Sequence, residues 1–430
     1  GPPARASPPA RASPPSRARP LGGVMHVVVI GTGPAGITAA ETLRRLDPHG
    51  SVTALSAEPF PPYSPVALAD HLLTGREGPL FWKGQDAARR LGIEERRGAV
   101  VRGVDTDNRE VVLDDGARLA YEGLVVASGS RLHAPLEGAD LPGILDFKSL
   151  STARSLLARV RSQECRTALV VGNGFIGVEL SLLLADLGVD TTIVGRRSWL
   201  MPRALDRETS AIAEAAVRAR GVTLRLGVEA TAFIGNPANG VRLADGSALT
   251  ADLVLAATGV KPHIGHLADS AIQTDWGVLV DDSLRTSAPG VVAAGDVAVT
   301  RDYMTGERYV HAIFHNAVRQ APIAAANLLG AQLTYEGAEA MNSLKHLGVP
   351  IVAVGSTDNP DAVLRWGDGQ QLRSVYLRDG RITGAQLAGN IRSIGIYRSL
   401  MRRRIDVSPF GHRLVEPRFG LADLLFDVLP

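Results

Sequence analysis

Short apolar runs alternate with helical patterns along most of the chain. The first set comprises an apolar run at 26–30, a glycine-rich loop at 31–36, a helical pattern at 37–46 and a second apolar run at 52–55. A strand, a loop, a helix and a strand in this order predict a βαβ unit, in which the loop joins the first strand to the helix.

The same order returns about 140 residues later. An apolar run at 168–171 leads into a glycine-rich loop at 172–177, a helical pattern at 178–187 and an apolar run at 191–194. The chain therefore contains an internal repeat of a module that is typical of dinucleotide-binding proteins.

Each half also contains a predicted hairpin with an Asp-Gly turn, at 110–121 and at 242–247. Each hairpin leads into an apolar strand, at 124–127 in the first half and at 253–257 in the second. The similarity between the halves thus extends beyond the two glycine loops.

The two ends of the chain differ from this repeat. Residues 1–24 form a low-complexity stretch of Pro, Ala, Arg and Ser, which predicts disorder, and Met25 is a candidate natural start. From 335 to 430, short strand patterns followed by helical segments predict a separate α+β domain; the strand patterns lie at 351–354, 374–377 and 382–387.

Composition and charge mainly exclude classes of function. Apolar residues make up 45% and aromatic residues 5% of the chain, which is typical of α/β proteins. The formal charge is +2, but four arginines lie in the first 20 residues, and without them the balance is 42 − 44 = −2. Charge therefore gives no indication of nucleic-acid binding. No apolar run reaches the roughly 18 residues of a membrane span and no signal-peptide core is present, so we expect a cytoplasmic protein without a membrane partner.

The first glycine loop fits the G-x-G-x-x-G pattern of dinucleotide-binding modules. In that pattern the first glycine allows a tight turn, the second lets the backbone approach a pyrophosphate, and the third lets the helix pack closely on the strand. An acidic residue is expected about 20 residues further on to bind a ribose, and Glu58 stands 22 residues after the last glycine. The predicted contacts are Gly31, Gly33, Pro34, Ala35, Gly36 and Glu58.

The second loop fits the same pattern, through Gly172, Gly174, Phe175, Ile176 and Gly177. No acidic residue ends its second strand, where Gly195 is followed by Arg196 and Arg197. An acid there would bind the 2′-hydroxyl of NADH, whereas a glycine and two arginines offer space and positive charge to a 2′-phosphate. The sequence therefore favours NADPH over NADH, the alternative being two arginines that only face solvent.

Three further strands end in small residues. Ser128-Gly129 and Thr258-Gly259 each end an apolar run, and Gly295-Asp296 ends a third. A carboxylate at Asp296 can hold a hydroxyl of the ribityl chain of FAD.

With these motifs in this order, the chain resembles the FAD-dependent pyridine nucleotide-disulfide oxidoreductase superfamily from residue 26 to about 425. The resemblance implies an α/β fold with two Rossmann-like domains. An NAD(P) module at 146–252 would be inserted into an FAD module at 25–145 and 253–330, and a C-terminal α+β interface domain would follow at 335–430.

The resemblance also implies hydride transfer from NAD(P)H to FAD. Glu179 matches a family glutamate near the nicotinamide, and the segment 314–320 matches a helix whose N-terminus points at the flavin. This segment places His315 and Asn316 in the site, with Glu179 and His315 as the candidate catalytic residues. His311 and His315 are candidate proton donors, with a structural role as the alternative. No metal site is assigned.

The chain departs from the disulfide reductases of this superfamily. The segment 62–71 contains no cysteine, and the single cysteine, Cys165, lies far from it in sequence. A thiol relay is therefore not expected. The segment resembles the cysteine-free branch, which includes rubredoxin and ferredoxin reductases and the flavin portion of nitrite reductases, although Asp70 stands near the place of a lysine usual in ferredoxin reductases.

The sequence predicts an NAD(P)H:acceptor oxidoreductase that passes electrons from FAD to a redox partner, such as a ferredoxin or an iron–sulfur subunit. Two alternatives stay open: a flavoenzyme acting on O₂, a quinone or a small molecule, and a non-catalytic sensing or assembly subunit. We expect a homodimer or a subunit of a redox complex. Arg402, Arg403 and Arg404 are candidates for docking an acidic partner, with a solvated helix end as the alternative.

Overall fold

The computed structural model of the chain describes residues 25–162, 165–344, 346–420 and 422–423. The predicted disordered stretch 1–24 lies outside the described residues. The α-helices, in chain order, are α1 Pro34–Leu46, α2 Leu68–Thr74, α3 Ala87–Leu91, α4 Leu150–Arg161, α5 Phe175–Asp186, α6 Arg207–Ala219, α7 Phe314–Leu328 and α8 Ile394–Arg402.

The strands, in chain order, are β1 His26–Ile30, β2 Ser51–Ser56, β3 Glu94–Arg97, β4 Val101–Asp105, β5 Glu110–Leu113, β6 Arg118–Ala120, β7 Gly123–Val126, β8 Ser130–Leu132, β9 Ile144–Leu145, β10 Thr167–Val171, β11 Asp190–Gly195, β12 Thr223–Leu226, β13 Ala230–Gly235, β14 Ala238–Leu243, β15 Ala248–Thr250, β16 Leu253–Ala256, β17 Val260–Pro262, β18 Val278–Leu279, β19 Val291–Ala293, β20 Ala298–Arg301, β21 Arg308–Val310, β22 Met341–Leu344, β23 Ile351–Gly355, β24 Ala362–Gly367, β25 Leu372–Arg378 and β26 Arg381–Ala388.

The first sheet has the strand order β19-β7-β1-β2-β3, and all of its pairs are parallel. Its central strands are almost wholly apolar because helices and other elements cover both faces of a parallel sheet. Val28, Val29 and Leu124 are each fully buried. Helices α1 and α7 pack against each other beside this sheet.

The second sheet repeats this arrangement in the order β12-β11-β10-β16-β9, again with parallel pairs. The sequence analysis assigned residues from 253 onward, and residues up to 145, to the FAD module. The structure corrects both boundaries, because β16 pairs with β10 and β9 pairs with β16. The pattern of a buried strand predicts its existence but not which sheet it joins.

The C-terminal domain contains an antiparallel sheet in the order β22-β23-β26-β25-β24, with α8 packed against β26. The three strands predicted there are present, and β22 and β24 are additional. The α/β fold with two similar parallel sheets and a C-terminal α+β domain is therefore confirmed.

A buried carboxylate joins α7 to the C-terminal domain. The side chain of Glu339 is 2% exposed and pairs with three guanidinium groups. Arg319 on α7 pairs with one carboxylate oxygen, while Arg398 (2.6 Å) and Arg402 (3.1 Å) approach from α8. Burial alone would raise the pKa of Glu339, but these three cations lower it, so the carboxylate stays ionised.

A bilayer-spanning helix is not found among the described residues, since none of their helices combines the necessary length with the necessary apolarity.

Candidate dinucleotide sites

Both glycine loops join a central strand of a parallel sheet to the N-terminus of a helix. The first connects β1 to α1, and the second connects β10 to α5. Gly33 and Gly174 are the N-cap residues, and neither helix has a side-chain cap, so backbone N–H groups of the first turn are left for a ligand. A helix N-terminus of this kind attracts phosphate oxygens through these N–H groups and the helix dipole.

The three glycines of the first loop have different reasons to be glycine. A Cβ on Gly31, whose φ is +98°, would lie 2.3 Å from the Ala127 carbonyl oxygen. A Cβ on Gly36 would lie 1.8 Å from the Gly31 carbonyl oxygen, whereas one on Gly33 would meet no atom within 4 Å. The outer glycines are therefore required by the packing of the protein itself, while the middle glycine borders open space.

The second loop repeats this division. A Cβ on Gly172 would lie 2.2 Å from the Ala257 carbonyl oxygen, and one on Gly177 would lie 2.0 Å from the Gly172 carbonyl oxygen. A Cβ on Gly174 would again meet nothing within 4 Å. Both loops thus provide a cradle of the kind that a pyrophosphate fits, with room at the middle glycine.

The strand ends next to the loops are tied to the segments that connect the two modules. Ser128 Oγ donates to the His263 carbonyl (2.8 Å), and Thr258 Oγ1 donates to the His133 carbonyl (2.6 Å). Gly129 and Gly259 have φ angles of +68° and +135°, and a Cβ on either would meet no atom within 4 Å. The two hydroxyls therefore hold the connections in place, and open space lies at the two glycines.

The carboxylate of Glu58, predicted to bind a ribose, contacts three protein groups in the structure. It accepts hydrogen bonds from Tyr63 Oη (2.5 Å), from the Ser151 backbone N–H (3.1 Å) and from Ser151 Oγ (2.9 Å). Burial and the charge of Glu58 raise the pKa of Tyr63. The structure thus uses Glu58 to join the end of β2 to the start of α4, a pairing that sequence spacing could not reveal.

Gly295 and Asp296 lie beside the first loop. Gly295 has a φ of +83°, a Cβ on it would lie 2.9 Å from the Ala35 side chain, and its N–H donates to Gln320 Oε1 (2.7 Å). Asp296 Oδ2 accepts a hydrogen bond from Ser130 Oγ (2.7 Å). Asp296, the residue predicted to bind the ribityl chain, therefore lies next to the N-terminus of α1.

Two buried polar atoms near the start of α7 have no hydrogen-bond partner among the described residues: Trp82 Nε1 and His315 Nε2. The Trp82 ring packs edge-on against Phe314, with ring centroids 5.3 Å apart. Burial lowers the pKa of His315, so its ring is neutral at pH 7. Orphaned polar atoms beside an aromatic cluster fit the polar edge of a flavin ring.

Two residues expected in the same region have other partners. Asn316 is fully buried, and its side-chain amide bonds the Glu339 backbone in both directions at 3.0 Å. His311 Nε2 lies 3.0 Å from Asp302 Oδ2, and its ring stacks on Tyr309 at 3.8 Å. Both side chains contact the protein itself, which for His311 agrees with the structural alternative, and cofactor binding at Asn316 stays a prediction.

Glu179 lies on α5, just after the second loop. Burial raises the pKa of its carboxyl, and the nearby His346 offsets this only in part. A carboxyl group accepts hydrogen bonds and donates one when protonated, so either form can pair with the carboxamide of a nicotinamide.

The two arginines at the end of β11 are exposed. Arg196 lies 3.7 Å from Glu229, and its side chain is 69% exposed. Asn173 Nδ2 donates to the Arg197 carbonyl (3.2 Å) and to the Trp199 carbonyl (2.7 Å), and a Cβ on Gly195 would lie 2.5 Å from the Asn173 side chain. The contacts of Asn173 with this segment were not predicted from the sequence, in which an amide between Gly172 and Gly174 was the available signal.

Comparisons with known proteins agree with this geometry. Residues 25–325 match the family model described as pyridine nucleotide-disulphide oxidoreductase. The NADH-dependent phenylglyoxylate dehydrogenase subunit epsilon of Aromatoleum evansii is 29% identical over 90% of this chain and 94% of its own length. The ferredoxin–NAD(+) reductase component of the biphenyl dioxygenase system of Paraburkholderia xenovorans is 30% identical over 93% and 98%. Among solved structures, the ferredoxin reductase for the CYP199A2 system of Rhodopseudomonas palustris superposes with a TM-score of 0.84 and 26% identity, over 93% of this chain and 99% of that one.

Proposed function

Since the chain belongs to the pyridine nucleotide-disulphide oxidoreductase family, we propose that it passes electrons from NAD(P)H through FAD to an iron–sulfur partner protein. The observation that carries this proposal is the pair of glycine loops, each with outer glycines required by packing and a middle glycine facing open space. One such loop is common in nucleotide-binding proteins, whereas two in one chain match a donor and an acceptor dinucleotide.

We assign FAD to the first loop and the nicotinamide nucleotide to the second. FAD, when bound, supplies the capacity to accept a hydride from the nicotinamide and to release electrons singly. Gly33 and the N-terminus of α1 bind the FAD pyrophosphate, and Asp296 binds the ribityl chain. The N-terminus of α7 offers its dipole to the flavin.

The second module supplies the nicotinamide end of the site. Helix α2 of the first module packs against α5, so the helix that begins at the second loop lies beside the FAD module. Glu179 on α5 would hydrogen-bond the nicotinamide carboxamide through its carboxyl group and thereby orient the ring. The neutral His315 contributes a polar ring nitrogen at the start of α7.

The acceptor is proposed from two observations. The chain has a single cysteine, and Cys165 is buried in a hydrophobic cluster with residues such as Leu156 and Ala168, so an internal thiol pair cannot carry the electrons. Two of the similar proteins are named as ferredoxin reductases and cover almost all of this chain. An iron–sulfur protein is therefore the proposed recipient.

We further propose that the second loop prefers NADPH, although two of the similar proteins are named for NADH or NAD(+). The support is the absence of an acid after Gly195 and the two exposed arginines that follow. Arg196→Ala is expected to weaken NADPH binding about tenfold, the worth of one charge-assisted hydrogen bond, while NADH binding changes less than about twofold. Arg218→Ala is the matched control, because this arginine is similarly exposed on α6. Equal kcat/KM values for both nucleotides, unchanged in Arg196→Ala, refute the preference.

The overall proposal is tested by anaerobic titration of the purified flavoprotein with NADPH and then NADH. Loss of the flavin absorbance near one equivalent, followed by its return on addition of an oxidised ferredoxin, supports the proposal. A flavin that is reduced but is reoxidised by O₂ or a quinone and by no iron–sulfur protein refutes the partner. A flavin that neither nucleotide reduces refutes the reaction itself.

A further inference from the structure

A lysine that the sequence analysis did not single out lies in the polar cluster at Asp296. The Nζ atom of Lys148 is 2.9 Å from Ser130 Oγ and 3.6 Å from Asp296 Oδ2. Ser130 Oγ donates to Asp296 Oδ2 (2.7 Å), so the hydroxyl bridges the cation and the carboxylate. The three residues form what we call the Lys–Ser–Asp cluster.

Three distant segments of the chain build this cluster. Ser130 begins β8 directly after Gly129, and Asp296 follows Gly295 after β19. Lys148 lies two residues before α4, in a turn held by Asp146, whose Oδ1 accepts from the Lys148 backbone N–H (3.1 Å) and from Thr152 Oγ1 (3.2 Å). The turn therefore places the Lys148 ammonium group beside Ser130, and it belongs to the segment that leads into the second module.

The cluster remains partly open. The side chains of Lys148 and Asp296 are 30% and 22% exposed, respectively. A Cβ on Gly295, next to Asp296, would lie 2.9 Å from the Ala35 side chain at the start of α1, so the cluster lies near the first glycine loop. A ligand bound at this loop brings two phosphate charges, and an unneutralised carboxylate beside them would repel it.

The cation of the cluster comes from outside the neighbouring helix α2. Helix α2 contains Asp70 and no lysine or arginine. The ammonium group of Lys148 instead comes from the turn before α4, and α4 packs against α2.

We propose that Lys148 is a positioning residue of the FAD site. Through Ser130 it holds the Asp296 carboxylate for the ribityl hydroxyls, and its charge offsets the negative charge of the cofactor, which increases on reduction. The inference rests on the proposed function, because it requires FAD at the first loop.

The test compares Lys148→Met, Lys148→Arg and Lys261→Met as purified proteins. Lys261 lies on β17 opposite Arg131 of β8, and among the described residues its side chain forms no hydrogen bond or ion pair with Ser130 or Asp296. FAD is removed, and its dissociation constant is measured by fluorescence titration of each apoprotein. Lys148→Met is expected to weaken FAD binding about tenfold to a hundredfold, Lys148→Arg less than about threefold, and Lys261→Met not measurably.

Two further readouts separate this role from a purely structural one. The reduction potential of the bound flavin, measured against reference dyes, should become more negative in Lys148→Met and stay near wild type in Lys148→Arg. The Tm of the apoprotein should be the same in all three variants. A Lys148→Met protein that equals Lys261→Met in FAD affinity and flavin reduction potential overturns the proposal. FAD affinity that is as low in Lys148→Arg as in Lys148→Met also overturns it. Wild-type apoprotein that binds no FAD refutes instead the proposed function.

Discussion

The substitution Gly33→Ala separates what the first glycine loop does for folding from what it does for FAD. Gly33 has φ −64° and ψ −173°, which any residue adopts, and a Cβ there would meet no protein atom within 4 Å. The apoprotein should therefore tolerate alanine and gain about 0.4–1 kcal/mol of unfolding free energy, because alanine restricts the unfolded chain. Gly36→Ala should fail to fold normally, since its Cβ would lie 1.8 Å from the Gly31 carbonyl oxygen.

Gly33→Ala is expected to weaken the binding of FAD. If the open space at Gly33 holds the FAD pyrophosphate, the new methyl group overpacks the complex by about 1–3 kcal/mol. This corresponds to FAD binding about fivefold to 150-fold weaker. Fluorescence titration of the apoprotein with FAD measures the affinity, and urea unfolding of the same apoprotein measures the stability. Wild-type affinity in a normally folded Gly33→Ala protein would refute the assignment of FAD to this loop.

Three other substitutions test the remaining parts of the site and the fold. Gly174→Ala should retain FAD but weaken NAD(P)H binding about fivefold to 150-fold in stopped-flow reduction, and loss of FAD instead would contradict the assignment of the two loops. Glu179→Gln should remove a step in the pH profile of flavin reduction that lies above pH 4.5, because burial raises the pKa of this carboxyl; an unchanged profile would exclude its role. Asp302→Asn should lower the unfolding free energy at pH 7 by about 2 kcal/mol in urea titrations. Burial alone would raise the pKa of Asp302, but hydrogen bonds from His311 and other groups lower it from 3.8 to about 2. The stability that the ionised carboxylate contributes is therefore present above pH 4 and is lost as the pH falls toward 2. The difference in unfolding free energy between wild type and Asp302→Asn should vanish there.

Local patterns were enough to predict most of the fold. The apolar strands, the two glycine loops and the Asp-Gly hairpins each depend on residues close together in sequence, and the structure contains all of them. The sheet that β16 joins depends on its hydrogen bonds to β10, which a strand pattern does not encode.

The glycine positions of the site could be predicted because backbone geometry requires them. The hydrogen-bond partners of its polar side chains could not, because they come from distant parts of the chain. Gly31 and Gly36 are glycines for reasons that the G-x-G-x-x-G spacing already contains. The sequence predicts cofactor contacts for Glu58 and Asn316, but it does not reveal their contacts with Ser151 and the Glu339 backbone, 93 and 23 residues away. Such pairings arise only when the chain is folded, because burial leaves polar groups in need of whichever partner lies nearest.

The buried Glu339 carboxylate sets a condition on any attempt to recombine this protein with its relatives. A chimera that replaced only the C-terminal domain would have to keep one carboxylate and two α8 guanidinium groups in register with Arg319, which belongs to the other parent. A mismatch would break the pairing of the buried carboxylate with Arg319, one of the three cations that keep it ionised, and would lower the free energy of unfolding. The crossover point that preserves all four charges lies before α7, so the helix facing the proposed flavin site and the C-terminal domain are inherited as one unit.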